Sequence, residues 1–136
     1  MSLLGNMNKP KILTIDDEVE FVEMIKNYFS LRGYDVFTAL RGVAGLKIIE
    51  KEKPDVVLID LKMAGINGDQ VLKQMQKLHP EGKAIIITAF KDEGETEKKF
   101  LDMGAFAYFE KPISSLKELE DTIKKAIDNK EENKSV

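Results

Sequence analysis

Five short apolar runs punctuate the chain: Lys11–Ile15, Tyr34–Ala39, Asp55–Ile59, Ala84–Thr88 and Ala107–Phe109. The stretches DVVLID and AIIIT are rich in β-branched residues and nearly continuous, not alternating. A strand reads that way when both faces are covered, as in a parallel sheet. Between the runs, apolar residues recur at helical spacing. Val22, Ile25 and Phe29 mark a helix over Glu18–Leu31, with Gly33 as its stop. Ala44–Lys53 reads as a second helix, weakened by Gly42 and Gly45 at its start. Val71, Leu72, Met75 and Leu78 mark a third, ended by His79-Pro80; Glu95–Met103 is a fourth, closed by Gly104; Leu116, Leu119, Ile123 and Ile127 mark an amphipathic fifth. Strand then helix, five times over with short connections, predicts one doubly wound α/β domain with a mainly parallel sheet and helices on both faces.

Composition narrows what such a domain can do. The 136 residues, 43% hydrophobic and 33% charged, suit a single core. The formal charge of −3 gives no positive excess for direct nucleic-acid or anionic-membrane binding. Arg32 and Arg41 are the two arginines, which argues against a bidentate phosphate-reading surface. With no cysteine, disulfides, thiolate catalysis and Cys-zinc sites are excluded. No apolar run approaches a membrane span, and MSLLGNMNKP lacks the pattern of a signal peptide. These readings predict a cytoplasmic protein. Residues 1–8 read as an N-terminal extension or cloning remnant, with Met7 suited to be a native start; 9–129 form the domain; the charged 130–136 read as a frayed tail or the start of a linker.

In open parallel sheets, ligands bind beyond the carboxyl ends of the strands. After the first run come Asp16 and Asp17, after the third Asp60; the fourth ends on Thr88, and just past the fifth is Lys111, followed by Pro112. Asp35 and Asp55 stand at the opposite, amino ends. If the first and third strands are neighbours, three carboxylates converge, and like charges that close cannot all stay ionised unaided. A hard divalent cation such as Mg²⁺ removes the conflict through oxygen ligands. The chemistry that follows is phosphoryl transfer to a carboxylate, with a lysine and a threonine stabilising the transferred oxygens. Asp60, Lys111 and Thr88 supply those groups.

The stretches TIDDE at 14–18, VVLIDLKMAGING at 56–68, IIITA at 85–89 and YFEKP at 108–112 resemble the receiver domain of two-component response regulators, over about Lys11 to Asn129. The resemblance implies a flavodoxin-like (βα)5 fold with strand order 2-1-3-4-5. It implies Asp60 as phosphoacceptor, Asp17 as a direct Mg²⁺ ligand, Asp16 as one acting mainly through water, and the Lys62 main-chain carbonyl as a further ligand. Thr88 would hydrogen-bond the phosphoryl group and Lys111 would pair with it, across a cis Lys111-Pro112 bond. Tyr108 would be a switch aromatic. The donor would be a sensor histidine kinase or phosphotransfer protein. The face formed by the fourth helix, fifth strand and fifth helix would bind an output domain, a partner or a second copy. The domain would then be a switch that catalyses its own phosphorylation and dephosphorylation, not a turnover enzyme. This chain departs from the family where Ala64 follows Met63 in place of a nearby proline, leaving that loop more backbone freedom. Lys62 and Phe90 occupy positions that tune phosphoryl lifetime in the family.

Single residues have plainer readings. Asp16 or Asp17 would suit a helix N-terminus, Thr88 a strand end and Lys111-Pro112 a turn; only the constellation is specific. Tyr108 reads equally as a half-buried packing residue. His79, beside Pro80 at a helix end, reads as a surface residue, not a phosphodonor. Lys98-Lys99 and Lys124-Lys125 read as solvated helix faces, and the methionines as core and loop filler. Two rival functions stay open: a degenerate receiver that never takes phosphate, and a small phosphotransfer enzyme with an aspartyl intermediate, although the chain has no room for the larger cap domain such enzymes use. Arginines that join dimers in one DNA-binding subfamily have no counterpart in Lys117–Asn129.

Overall fold

The computed structural model describes residues 9–135. Five parallel strands, β1 (Lys11–Ile15), β2 (Asp35–Ala39), β3 (Val56–Ile59), β4 (Lys83–Thr88) and β5 (Ala107–Glu110), form one sheet in the order 2-1-3-4-5. The helices are α1 (Val19–Ser30), α2 (Gly42–Glu52), α3 (Gly68–Leu78), α4 (Glu95–Asp102) and α5 (Leu116–Ser135). The chain reverses its winding between β1 and β3, so the crevice where ligands collect in such sheets lies at their carboxyl ends.

Strand alternation sorts the apolar side chains onto two faces. Leu13, Ile15, Val57, Ile59 and Ile86 pack with Ile49 of α2, Val71, Leu72 and Met75 of α3 and Phe100 of α4. Ile12, Val56, Leu58, Ile85 and Ile87 pack with Ile25 and Phe29 of α1 and Leu119, Ile123 and Ala126 of α5. Every residue of β3 is buried, which is why DVVLID carries no polar alternation.

Three expectations change. First, Gly42 and Gly45 lie inside α2 and serve its packing. A Cβ at Gly45 would stand 2.4 Å from the Ile15 side chain, and one at Gly42 2.5 Å from Ile66. Helix propensity is given up so that α2 can approach β1 and α3. Second, the fifth helix, marked in the sequence by apolar residues up to Ile127, runs on to Ser135 as α5. Third, His79 is buried, not a surface residue. Its Nε2 lies 2.7 Å from the Pro54 carbonyl oxygen, and Gly82 leaves space for the ring, tying the end of α3 to the entrance of β3.

Thr14, fully buried in β1, has a hydroxyl with no hydrogen-bond partner. An unsatisfied buried hydroxyl costs roughly 1–3 kcal/mol. Thr14→Val keeps the shape and removes the orphan, so it is expected to stabilise the fold by about 1 kcal/mol, read as a higher urea midpoint at unchanged slope.

Candidate functional site: an acidic pocket at the carboxyl edge of the sheet

β1 and β3 are hydrogen-bonded neighbours, with Ile15 opposite Ile59 and the Asp60 N–H donating to the Ile15 carbonyl at 3.1 Å. The condition for convergence is therefore met. Each of Asp16, Asp17 and Asp60 offers a carboxylate oxygen within 4.8 Å of the other two. Asp16 and Asp60 are buried, and Asp17 is exposed at the mouth.

The electrostatics of this cluster are uncomfortable. Burial, and then the neighbouring Asp16 charge, push the Asp60 carboxyl up to about 6. Lys111 and hydrogen bonds from the Leu61 N–H and Thr88 hydroxyl pull the other way without cancelling it. Burial likewise raises Asp16, against its bonds to Lys111 and the Glu18 N–H. A site of carboxylate oxygens that keeps one acid this reluctant to ionise lacks positive charge. A hard divalent cation is the group that such a donor set fits.

Lys111 comes from the far end of the sequence. Its ammonium donates to Asp16 Oδ2 at 2.8 Å and to Glu18 Oε1, and stands 4.4 Å from the centre of the Phe21 ring. Burial works against that charge, but the bonds to Asp16 and Glu18 outweigh it and hold its pKa above the ordinary lysine value. The Lys111-Pro112 bond is cis, as the family resemblance implied. Thr88 is buried, and its Oγ1 accepts the Phe90 N–H at 3.2 Å. Lys62, exposed two residues past Asp60, places its ammonium 4.6 Å from the centre of the Phe90 ring. The two positions thus form one stacked pair. Tyr108 is half-buried on β5, touching the core on one side and a surface cleft on the other. Burial, then the charges of Asp92, Glu110 and Glu97, raise its phenol.

The plain capping reading of the acid pair does not hold. The residue preceding α1 is Glu18, without a side-chain cap, while Asp16 Oδ1 accepts the Glu18 N–H at 2.9 Å. Sequence reasoning had given no separate site role to two residues. Glu18, the third acid of Asp-Asp-Glu, shares Lys111, and its place in that run was the available signal. Gly68 opens α3, and its N–H donates to the Leu61 carbonyl at 3.1 Å. A Cβ there would lie 2.7 Å from the Asp60 carbonyl oxygen and 2.9 Å from Leu61 Cα. That closeness is tertiary, and nothing local in the sequence announces it.

Comparison with known proteins adds context to this geometry. Residues 12–124 match the family described as the response regulator receiver domain. Sporulation initiation phosphotransferase F of Bacillus subtilis is 34% identical over 119 residues, covering 88% of this chain and 94% of that protein. The alkaline phosphatase synthesis transcriptional regulatory protein PhoP of Bacillus subtilis is 38% identical over 108 residues, covering 79% of this chain but 44% of PhoP. The chain thus spans nearly all of one relative and under half of the other. Among solved structures, a CheY-like response regulator receiver domain protein from Methanospirillum hungatei JF-1 superimposes with a TM-score of 0.86 at 30% identity, covering 93% of this chain and 99% of that one. No helix among the described residues is long and apolar enough to cross a membrane.

Proposed function

The chain belongs to the response regulator receiver domain family, and on that premise we propose that Asp60 is the acceptor of a phosphoryl group. The donor is a phosphohistidine on a sensor histidine kinase or phosphotransfer protein. An oxygen of Asp60 attacks phosphorus, an acyl phosphate forms as the P–N bond breaks, and the departing imidazole keeps the electron pair and is protonated. The observation that carries this reading is the convergence of Asp16, Asp17 and Asp60 within 4.8 Å, beside Lys111 and Thr88.

Asp16, Asp17, Asp60 and the Lys62 carbonyl would hold Mg²⁺, which when bound supplies positive charge to the acids and the phosphoryl oxygens. The chain's own groups have separable tasks. The Lys111 ammonium, already desolvated and bonded to Asp16, is poised to stabilise an oxygen of the transferred group. The Thr88 hydroxyl, which accepts the Phe90 N–H and hydrogen-bonds Asp60, can donate to another. The acyl phosphate adds roughly −1.5 to −2 charge to a crowded site, taking the phosphorylated side-chain value as a guide. The response is a shift between pre-existing conformations. Thr88 moving toward the phosphate leaves room for Tyr108 to turn inward, which changes the α4-β5-α5 face seen by a partner or output domain. The protein acts in the cytoplasm, as a switch and not as an enzyme turning over a free metabolite.

The test is incubation with phosphoramidate and Mg²⁺, followed by intact-mass measurement and peptide mapping. One phosphoryl group on Asp60 is expected; persistent absence of mass gain under conditions that saturate Mg²⁺ would defeat the reading and favour a degenerate receiver. Mg²⁺ alone is expected to raise the melting temperature in a saturable way. Asp17→Asn is expected to weaken that Mg²⁺ effect roughly 10-fold or more, because it removes the exposed member of the carboxylate set.

A further inference from the structure

β5 is the last strand of the sheet and is hydrogen-bonded only to β4. Residues along β5, α4 and the start of α5 line a cleft of about 630 Å³. Its lining includes the acids Asp92, Glu97, Glu110 and Glu118 and no lysine or arginine. Of the lysines on the same helices, Lys98 pairs with Asp102 at 2.8 Å and Lys117 with Asp121 at 2.9 Å. Asp92 is held in the charged form by its bonds to the Thr96 hydroxyl and to nearby backbone N–H groups. Apolar area is present as well, from the half-buried Tyr108 ring and from Leu101, which is 40% exposed.

We propose that this cleft docks a lysine- or arginine-rich segment of a partner protein that carries at least one aliphatic or aromatic side chain, and not a second copy of this chain. The proposal rests on the reading that the α4-β5-α5 face carries the output. A symmetric dimer sets a patch against itself. Here a two-fold axis through the cleft would bring two acidic linings together, and like charges juxtaposed across an interface disfavour the pairing. A basic segment meets the opposite situation: attraction from every charged lining residue, with Leu101 available to an apolar anchor. The strand edge adds a third contribution, since a terminal strand leaves backbone donors and acceptors on its outer side for an extended segment.

The probe is a fluorescein-labelled peptide of alternating lysine and leucine, with its glutamate-leucine twin as control, titrated into the full chain after phosphoramidate and Mg²⁺ treatment. The lysine peptide is expected to bind, and Glu97→Gln/Glu110→Gln/Glu118→Gln to weaken it at least 10-fold. A matched set at exposed acids outside the cleft, Glu20→Gln/Glu23→Gln/Glu50→Gln, is expected to stay within 2-fold. Amide shift mapping on the unmutated protein, which does not depend on how the variants fold, is expected to place the peptide on residues 92–101 and 106–122. The proposal is overturned if both triple variants weaken binding equally, if neither does, if the glutamate peptide binds as well, if the shifts map elsewhere, or if the parent sediments as a dimer that the cleft variant dissociates. Asp60 phosphorylation, scored by mass on the same samples, separates the two ideas. A phosphorylated protein that ignores the peptide defeats the docking proposal alone, whereas specific peptide binding by a protein inert at Asp60 defeats only the phosphoacceptor reading.

Discussion

An Asp60→Asn variant is expected to take up no phosphoryl group from phosphoramidate and, in EDTA at neutral pH, to be more stable than its parent. The first result follows from removing the proposed phosphoacceptor. The second follows from burial of the carboxylate and, after it, from the neighbouring Asp16 charge. The folded protein raises the Asp60 carboxyl from 3.8 to about 6, so between those values the folded state binds the proton more tightly than the unfolded chain does. Stability then falls as pH rises from about 4 through about 6, and the full penalty persists above that window. A gap of this size corresponds to roughly 3 kcal/mol at most, and solvent at the mouth of the pocket reduces it to roughly 1–2. Asparagine does not ionise and escapes the penalty, raising the melting temperature by roughly 4–8 °C. Near pH 4 the two proteins should converge. Asp16, also raised by burial, remains in the variant, so part of the parent's pH slope should survive. An Asn variant less stable than the parent at neutral pH would show that the buried, crowded Asp60 charge is not what strains this pocket.

Gly68→Ala is expected to be the most damaging single methyl added to the acceptor loop. The new Cβ would meet the Asp60 carbonyl oxygen at 2.7 Å and Leu61 Cα at 2.9 Å. Those atoms are backbone, fixed by the pairing of β3 with β1 and β4, and cannot swing aside as a side-chain terminus would. Alanine's helix preference, about 1 kcal/mol over glycine, is far outweighed. A net loss of about 3 kcal/mol or more is expected, with slower phosphorylation because the Asp60 main chain must shift. Gly65→Ala is the internal control. Gly65 has φ of +89° and nothing within 4 Å of an added Cβ, so only backbone strain of about 1–2 kcal/mol opposes the change. Comparable losses at the two sites, measured by urea unfolding, would mean that contact with the Asp60 main chain is not the cause at Gly68.

The contrast between these glycines shows what the sequence can and cannot reveal. The sheet was legible because its strands are apolar on both faces, so β3 and β4 stand out from any amphipathic helix. The pocket was legible because its parts sit at fixed places, on the last residue of β4 or one or two residues past β1, β3 and β5. Partnerships were harder to read. Nothing in the sequence states that Lys111 divides its bonds between Asp16 and Glu18, or that Lys62 reaches Phe90, because both depend on loop geometry at the sheet edge. His79 was misread for a related reason: a histidine before proline looks exposed until Pro54 and Gly82 are seen to enclose it. Gly42 and Gly45 looked like flaws in a helix because propensity is local, whereas the need for close approach belongs to the neighbouring elements.

The bond between Lys111 and Asp16 joins positions 95 residues apart. During synthesis, the acids of the first and third strands leave the ribosome well before the one ammonium that faces them. A nascent chain therefore carries the three acids of the pocket early but gains their Lys111 partner only when translation has passed residue 111.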